Sequence, residues 1–396
     1  MEKYNIYQQI AERTQGDIYI GIVGPVRTGK STFIKRFMDL LVIPNIENTY
    51  QKERAIDELP QSASGRTIMT TEPKFIPNEA VEITIDENVQ LKVRMIDCVG
   101  YMVRGAMGHL ENNAPRMVST PWYEYQIPFE EAAEIGTKKV INEHSTIGIV
   151  VTTDGSISDI PREDYVEAEK RVITELKAIN KPFIVIINTT RPRDPDTLKL
   201  RDEMEQKYGV TVLAMDCLQM RIDDVDSVME KILYEFPIYE IGINIPRWVE
   251  TLDDSHWLKR DVLESIRETF KSVGRIRDIK DAIPSFENYE YIKRAVIDKV
   301  SLGEGSVLID ISTADGLLYR ILSEESGMEI EGEHKLITLI KDLARIKREY
   351  ERVEYALHEV KVKGYGMVSP QLEELSLEEP EIIKQGNKFG VKLRAS

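Results

Sequence analysis

GPVRTGKS, residues 24–31, decides how the rest of this chain is read. It matches G-x-x-x-x-G-K-[ST] at every fixed position. Gly24 and Gly29 allow the tight turn, and Pro25, Val26, Arg27 and Thr28 fill it. The amides from Val26 to Ser31 are expected to cradle phosphate groups, helped by the start of the helix that follows. Lys30 would reach the β- and γ-phosphates, Ser31 would ligate Mg²⁺, and the residues from Gly24 to Thr32 together are the expected nucleotide-binding turn. The context agrees. DIYIGIV (17–23) reads as a buried strand, and Phe33, Ile34, Phe37, Leu40 and Leu41 give residues 30–42 a helical period.

The pattern continues outward from the turn. VEITI (81–85) and LKVRMID (91–97) read as a hairpin. TIGIVVTT (146–153), PFIVIIN (182–188) and TVLAM (211–215) read as further strands, with helical segments near 163–179, 196–208 and 222–234. Alternating strands and helices imply an α/β domain, a mostly parallel sheet with helices on both faces. It is expected to close near FPIYEIGINIPRW (236–248), which places a nucleotide-binding domain at 1–240 and an α+β domain at 241–396. Residues 42–80 and 100–145 read as long functional loops or insertions, placed where a nucleotide switch has its two mobile segments.

Asp97 opens DCVG, a D-x-x-G pattern. An aspartate there holds Mg²⁺ through water, and Gly100 offers its amide to the γ-phosphate. TIMTTEP supplies hydroxyls for the first switch loop: Thr70 and Thr71 are the candidates for Mg²⁺ and γ-phosphate contact, Thr67 a weaker one. Arg66 reads as a solvated loop arginine. Other features are missing. The strand at 182–188 ends in Asn188, Thr189, Thr190, Arg191, so the Lys and Asp of N-K-x-D, which read guanine, are absent. ATP is therefore the expected nucleotide. Tyr101 stands where a water-orienting glutamine often follows D-x-x-G, which implies slow hydrolysis.

Composition limits the alternatives. Net charge is −16, so the chain as a whole does not attract nucleic acid or anionic lipid. Cys98 and Cys217 fit no metal spacing and imply a reducing compartment. The first residues carry no apolar signal segment and no run reaches the roughly 20 apolar residues of a membrane span, so a cytoplasmic protein is expected. Further on, Leu336, Leu339, Leu343, Ile346, Tyr350, Val353, Leu357 and Val360 alternate spacings of three and four. That seam belongs to a long amphipathic helix, packed on its own domain or against another subunit. Trp248, His256 and Trp257 read as core or an interdomain joint. The last residues, NKFGVKLRAS, read as an incomplete strand.

Longer blocks carry a resemblance. GDIYIGIVGPVRTGKSTFIKRFM, DELPQSASGRTIMTTEPKF, DCVGYMVRGAMG, APRMVSTPWYE, PFEEAAEIGTKKVI and LEEPEIIKQGNKFGVKL resemble the stage IV sporulation protein A family, coat morphogenetic ATPases of spore-forming Firmicutes. The resemblance covers essentially the whole chain. It implies a P-loop NTPase domain of translation-factor-GTPase-like topology that has shifted to ATP, then an α+β middle domain with a long amphipathic helix. It implies ATP and Mg²⁺ as cofactors, Lys30 as the Walker A lysine, Asp97 as the Walker B aspartate, and Thr70 and Thr71 as sensor threonines. Hydrolysis would drive self-assembly into a static shell, the basement layer of the spore coat. The place would be the mother-cell cytoplasm at the outer forespore surface. Implied partners are further copies of the chain, other coat proteins and a small amphipathic membrane peptide, stage V sporulation protein M. A further C-terminal domain is implied beyond residue 396. The competing reading is a GTPase-like regulatory switch or assembly factor.

Overall fold

The computed structural model describes residues 3–60, 73–85, 89–106, 110–111, 114–120, 123–368, 378–386 and 388–392. Its central sheet has six strands: β1 (Asp17–Val23), β2 (Lys74–Ile85), β3 (Val89–Asp97), β4 (Ile147–Thr153), β5 (Phe183–Asn188) and β6 (Val212–Met215). Their spatial order is β6-β5-β4-β1-β3-β2. β2 runs antiparallel to β3, and the other neighbours are parallel. β1 therefore sits in the middle, and every residue of β4 and β5 is buried. That is why these strands read as unbroken apolar runs: helices cover both faces, and no side must be polar.

The alternation of side chains sorts the runs into two cores. Ile18, Ile20, Ile22, Ile149, Ile184 and Ile186 face one layer, built with Phe33, Ile34 and Phe37 of the helix after the P-loop. Val150, Phe183, Val185 and Ile187 face the other, against Tyr165, Val172 and Leu176 of the helix Arg162–Ile179.

A second sheet follows: β7 (Glu240–Asn244), β8 (Ile292–Ser301) and β9 (Ser306–Thr313), in the order β7-β9-β8. Val307, Ile309 and Ile311 of β9 belong to the same apolar core as Ile20 and Phe33. The first compact unit accordingly runs Met1–Thr313. Glu235 ties its parts together. Its carboxylate is fully buried and meets Arg275 at 2.6 Å and Arg277 at 3.1 Å. Thr211, just before β6, donates its hydroxyl to the same carboxylate at 2.6 Å.

The two segments read as loops contain regular structure. Thr49–Asp57 is a helix, capped by the Asn48 side chain, and β2 begins at Lys74. Phe129–Lys139 is a helix whose buried residues are Phe129, Ala132, Ala133, Gly136 and Thr137. After Phe129, small residues make that buried stripe, so no apolar period shows in the sequence. The helix after the P-loop is α-helical over Lys30–Phe37 and widens to a π turn at Met38–Val42.

The second unit, Ala314–Ser396, holds the helix Leu317–Ser326, a 31-residue helix Glu333–Lys363 and a hairpin. The terminal strand, Lys388–Lys392, has its partner upstream, at Glu381–Gln385. Of the long helix only Ala356 is buried.

Removing one side of a buried ion cluster strands the other charges, at roughly 3–5 kcal/mol. Glu235→Ala is expected to destabilise Met1–Thr313 by about that amount, read as a fall in the urea midpoint. An unchanged midpoint would show that Arg275 and Arg277 do not depend on it.

Candidate functional site

The site forms where β1 ends and its sheet neighbours end beside it. Gly24 to Gly29 make the turn, with Arg27 at φ 63° and Gly29 at φ 89°. A Cβ on Gly29 would lie 2.2 Å from the Asn188 amide nitrogen, so both the conformation and the space require glycine. The helix then starts at Lys30, and Phe33 donates its amide to the Gly29 carbonyl at 2.9 Å.

Two neighbouring segments hold the turn in shape. On one side the segment after β3 forms a short parallel bridge. Val26 donates its amide to the Tyr101 carbonyl at 2.9 Å, and Tyr101 donates to the Gly24 carbonyl at 3.1 Å. The Val26 amide is thus already used, which takes it out of the cradle expected from the motif. On the other side Asn188, at the end of β5, donates to the Thr28 carbonyl at 3.0 Å and accepts from the Cys217 amide at 3.1 Å. One side chain therefore links the turn to the segment after β6. The Thr28 hydroxyl closes the loop on the Pro25 carbonyl at 3.0 Å.

Lys30 is 6% exposed. Its ammonium donates to the Pro25 carbonyl at 2.7 Å and the Gly24 carbonyl at 3.4 Å. Burial lowers its pKa to about 8, although the Asp97 carboxylate pulls the other way. The Ser31 hydroxyl donates to Asp97 Oδ2 at 2.6 Å. Burial raises the Asp97 pKa, and the Ser31 hydrogen bond and the Lys30 charge oppose the rise. Gly100 packs against the same ammonium: a Cβ there would lie 2.5 Å from Lys30 Nζ. So Lys30 and Ser31 meet Asp97 and Gly100, far from them in the chain, at one point. Ser31 and Asp97 present a hydroxyl and a carboxylate side by side. Hard oxygen donors of this kind suit Mg²⁺, which takes few protein ligands and completes its shell with water and phosphate. Thr70, Thr71, Thr67 and Arg66 lie outside the described residues.

Tyr101 is buried, and its hydroxyl donates to Glu175 on the helix Arg162–Ile179. The Arg171 guanidinium lies 5.7 Å from its ring centre. It occupies the glutamine position in the chain but fastens the loop to a helix. A second cluster had no motif to announce it. Asp154, after β4, accepts from the Thr189 hydroxyl at 2.6 Å, the Ser156 hydroxyl at 2.6 Å and the Ser156 amide at 2.9 Å. Burial alone would raise its pKa, but these hydrogen bonds outweigh burial and hold it below the usual value.

Residues 1–237 match the model of the stage IV sporulation protein A ATPase domain. Residues 238–396 match that of the same protein's middle domain. The chain belongs to the stage IV sporulation protein A family. Its relatives include stage IV sporulation protein A of Clostridioides difficile (strain 630), 55% identical over 99% of this chain and 80% of that one. The protein of the same name from Bacillus subtilis (strain 168) is 53% identical over 100% of this chain and 80% of that one. Among solved structures, apo translation elongation factor SelB of Methanococcus maripaludis is similar over 55% of this chain and 33% of that one, at 11% identity and a TM-score of 0.29. The family name brings a P-loop ATPase domain and a place in sporulation. No described helix is long and apolar enough to cross a membrane.

Two outcomes follow from Lys30. Lys30→Glu sets a carboxylate against phosphate, so nucleotide binding should be lost, as read by equilibrium dialysis. Binding as tight as the parent's would refute the site. The second outcome is a pH dependence. A bound triphosphate restores the charged form of Lys30 and so raises its pKa again. Affinity is then insensitive to this group well below about pH 8 and falls as pH rises through about 8, by up to roughly tenfold per unit. Titrations between about pH 7 and 9 test this, and a flat profile would contradict it.

Proposed function

We propose that this chain is an Mg²⁺-dependent ATP hydrolase (ATP and water to ADP and phosphate). Its nucleotide cycle would drive its own assembly into a static polymer, the basement layer of a bacterial spore coat around the forespore. The observation that carries the reading is the Ser31–Asp97 hydrogen bond at 2.6 Å, set beside the buried Lys30 ammonium. These groups supply the two things triphosphate chemistry asks of a protein: a fixed cation against the phosphates and oxygen donors for the metal.

In this reading the amides from Arg27 to Ser31 bind the phosphates, and Lys30 turns from its loop carbonyls toward them. Ser31 and Asp97 hold Mg²⁺ directly or through water, and bound Mg²⁺ would offset the charge that builds on the phosphoryl oxygens. Thr70 and Thr71 would sense the γ-phosphate. Slow turnover is supported by Tyr101, whose hydroxyl is held by Glu175 and so is not the group that aims water. ATP over GTP is supported by the residues after β5. Asn188 spends its amide on Thr28 and Cys217, and Thr189 and Arg191 stand where the lysine and the aspartate of a guanine site would be.

Family membership supports the sporulation setting: the mother-cell cytoplasm at the outer forespore surface, with further copies of the chain, other coat proteins and the small amphipathic membrane peptide stage V sporulation protein M as partners. One experiment tests activity and assembly together. Purified protein receives ATP, GTP or a non-hydrolysable ATP analogue, and phosphate release and sedimentation are followed in parallel. ATP should bind at least as well as GTP, and large assemblies should form only with hydrolysable ATP. A many-fold preference for GTP would favour the regulatory switch, because a site built to pair with a base edge rejects the wrong base strongly. Equal assembly with the analogue would uncouple polymerisation from turnover.

A further inference from the structure

β1 and β3 end beside the P-loop, and β2, which runs antiparallel to β3, begins there at Lys74. Lys74 stands directly opposite Asp97 in the β2–β3 pair. Two residues on, Ile76 stands opposite Met95, and both pack in the core layer of the P-loop helix with Phe33 and Ile34. The pair between, Phe75 and Ile96, faces the other core. Side chains alternate along a strand, so Lys74 and Asp97 leave the sheet on the face of the P-loop helix. Residues opposite each other on one face carry their Cβ atoms about 4.5–5.5 Å apart.

Asp97 feels this cation. Burial raises its pKa, and the Ser31 hydrogen bond, the Lys30 charge and the Lys74 charge each oppose the rise. Yet Lys74 is exposed and makes no ion pair or hydrogen bond among the described residues. Lys92 and Glu82, another opposite pair of the same hairpin, close to 3.6 Å. The Asp97 carboxylate is turned to the Ser31 hydroxyl instead. An edge strand often carries lysine to keep its edge from pairing, but that role does not require Asp97 as the neighbour. The order β1-β3-β2 sets Lys30 and Ser31, then Asp97, then Lys74 in a row across the end of the sheet. In P-loop sites the groups that hold the metal stand next to the β- and γ-phosphate oxygens that it bridges. With Asp97 in that place, the next position along the row faces the terminal phosphate.

We propose that Lys74 is a second phosphate-binding cation of the nucleotide site, which meets the terminal phosphate of a bound triphosphate and offsets its charge. The proposal rests on the ATPase reading above and adds a residue to it. Lys30 serves both phosphates from beneath the turn, whereas Lys74 serves the γ-phosphate alone. A diphosphate leaves Lys74 without a ligand, so this lysine favours ATP over ADP.

Equilibrium dialysis of ATP and of ADP against the parent, Lys74→Gln, Lys74→Arg and Lys30→Glu tests this. Lys74→Gln should weaken ATP by about tenfold or more, the worth of one hydrogen bond to a charged group. Its affinity for ADP should hardly change, and its phosphate release should slow. Lys74→Arg keeps the charge and should retain most of the ATP affinity. Because Lys74 is exposed, the variants should keep the urea midpoint of the parent, which shows that they are folded. Two results overturn the proposal and leave the ATPase reading standing, provided that Lys30→Glu still abolishes binding. One is a Lys74→Gln protein that binds ATP as tightly as the parent. The other is an equal loss for ATP and ADP, the mark of a cation that acts through Asp97 or through the general field. A parent that binds neither nucleotide overturns both.

Discussion

A lysine ammonium buried beneath a strand-to-helix turn is the constraint on which the site depends. Charge is costly to bury, and the cost shows as the lowered pKa of Lys30. The surroundings offset it with dipoles: the Pro25 and Gly24 carbonyls accept from the ammonium, and Asp97 lies close enough to favour the charge. Those groups are in place only because β1 is flanked by β3 and β4 in the middle of the sheet. β3 ends at Asp97, which still pairs with Ile22 of β1, and the chain then folds back over the turn at Tyr101. The sheet therefore sets one cation and two oxygen donors beside the P-loop turn.

The same economy appears around the turn. Asn188 is a single side chain with one donor and one acceptor in use, and it fixes the P-loop and the 217 segment at once. Tyr101 uses its backbone to pair with the turn and its hydroxyl to reach the next helix. Neither needs to touch nucleotide to matter, because phosphate donors must be aimed before the phosphate arrives. Further away, the core that holds the P-loop helix runs on into β9, and the buried Glu235 carboxylate joins Arg275 and Arg277 to Thr211. The family boundary between residues 237 and 238 therefore crosses a continuous core rather than a flexible linker.

Much of this was legible in the amino-acid sequence. The P-loop, its strand and its helix follow from short-range rules: glycine for positive φ, an apolar run for a buried strand, a 3.6-residue period for the helix. Asp97 was legible because D-x-x-G ends a strand. The helix Glu333–Lys363 was legible because its period holds over many turns. The helices at Thr49–Asp57 and Phe129–Lys139 were hidden, since a short polar helix and a stripe of alanine and glycine leave no apolar rhythm.

Sequence by itself named the candidates to meet a phosphate and a metal, because that choice depends on side-chain chemistry and on neighbours a few residues away. Only the tertiary structure decided which groups are free to do so. The Val26 amide is spent on Tyr101, the Tyr101 hydroxyl on Glu175, and the Asp154 carboxylate on Ser156 and Thr189. It also left Leu343, Ile346, Tyr350, Leu357 and Val360 of the long helix exposed. Each of these depends on what packs from another element, and the hydrogen-bonding capacity of a group is finite. A local motif states what a residue can do, and the partners that arrive from distant strands and helices settle how much of that capacity remains.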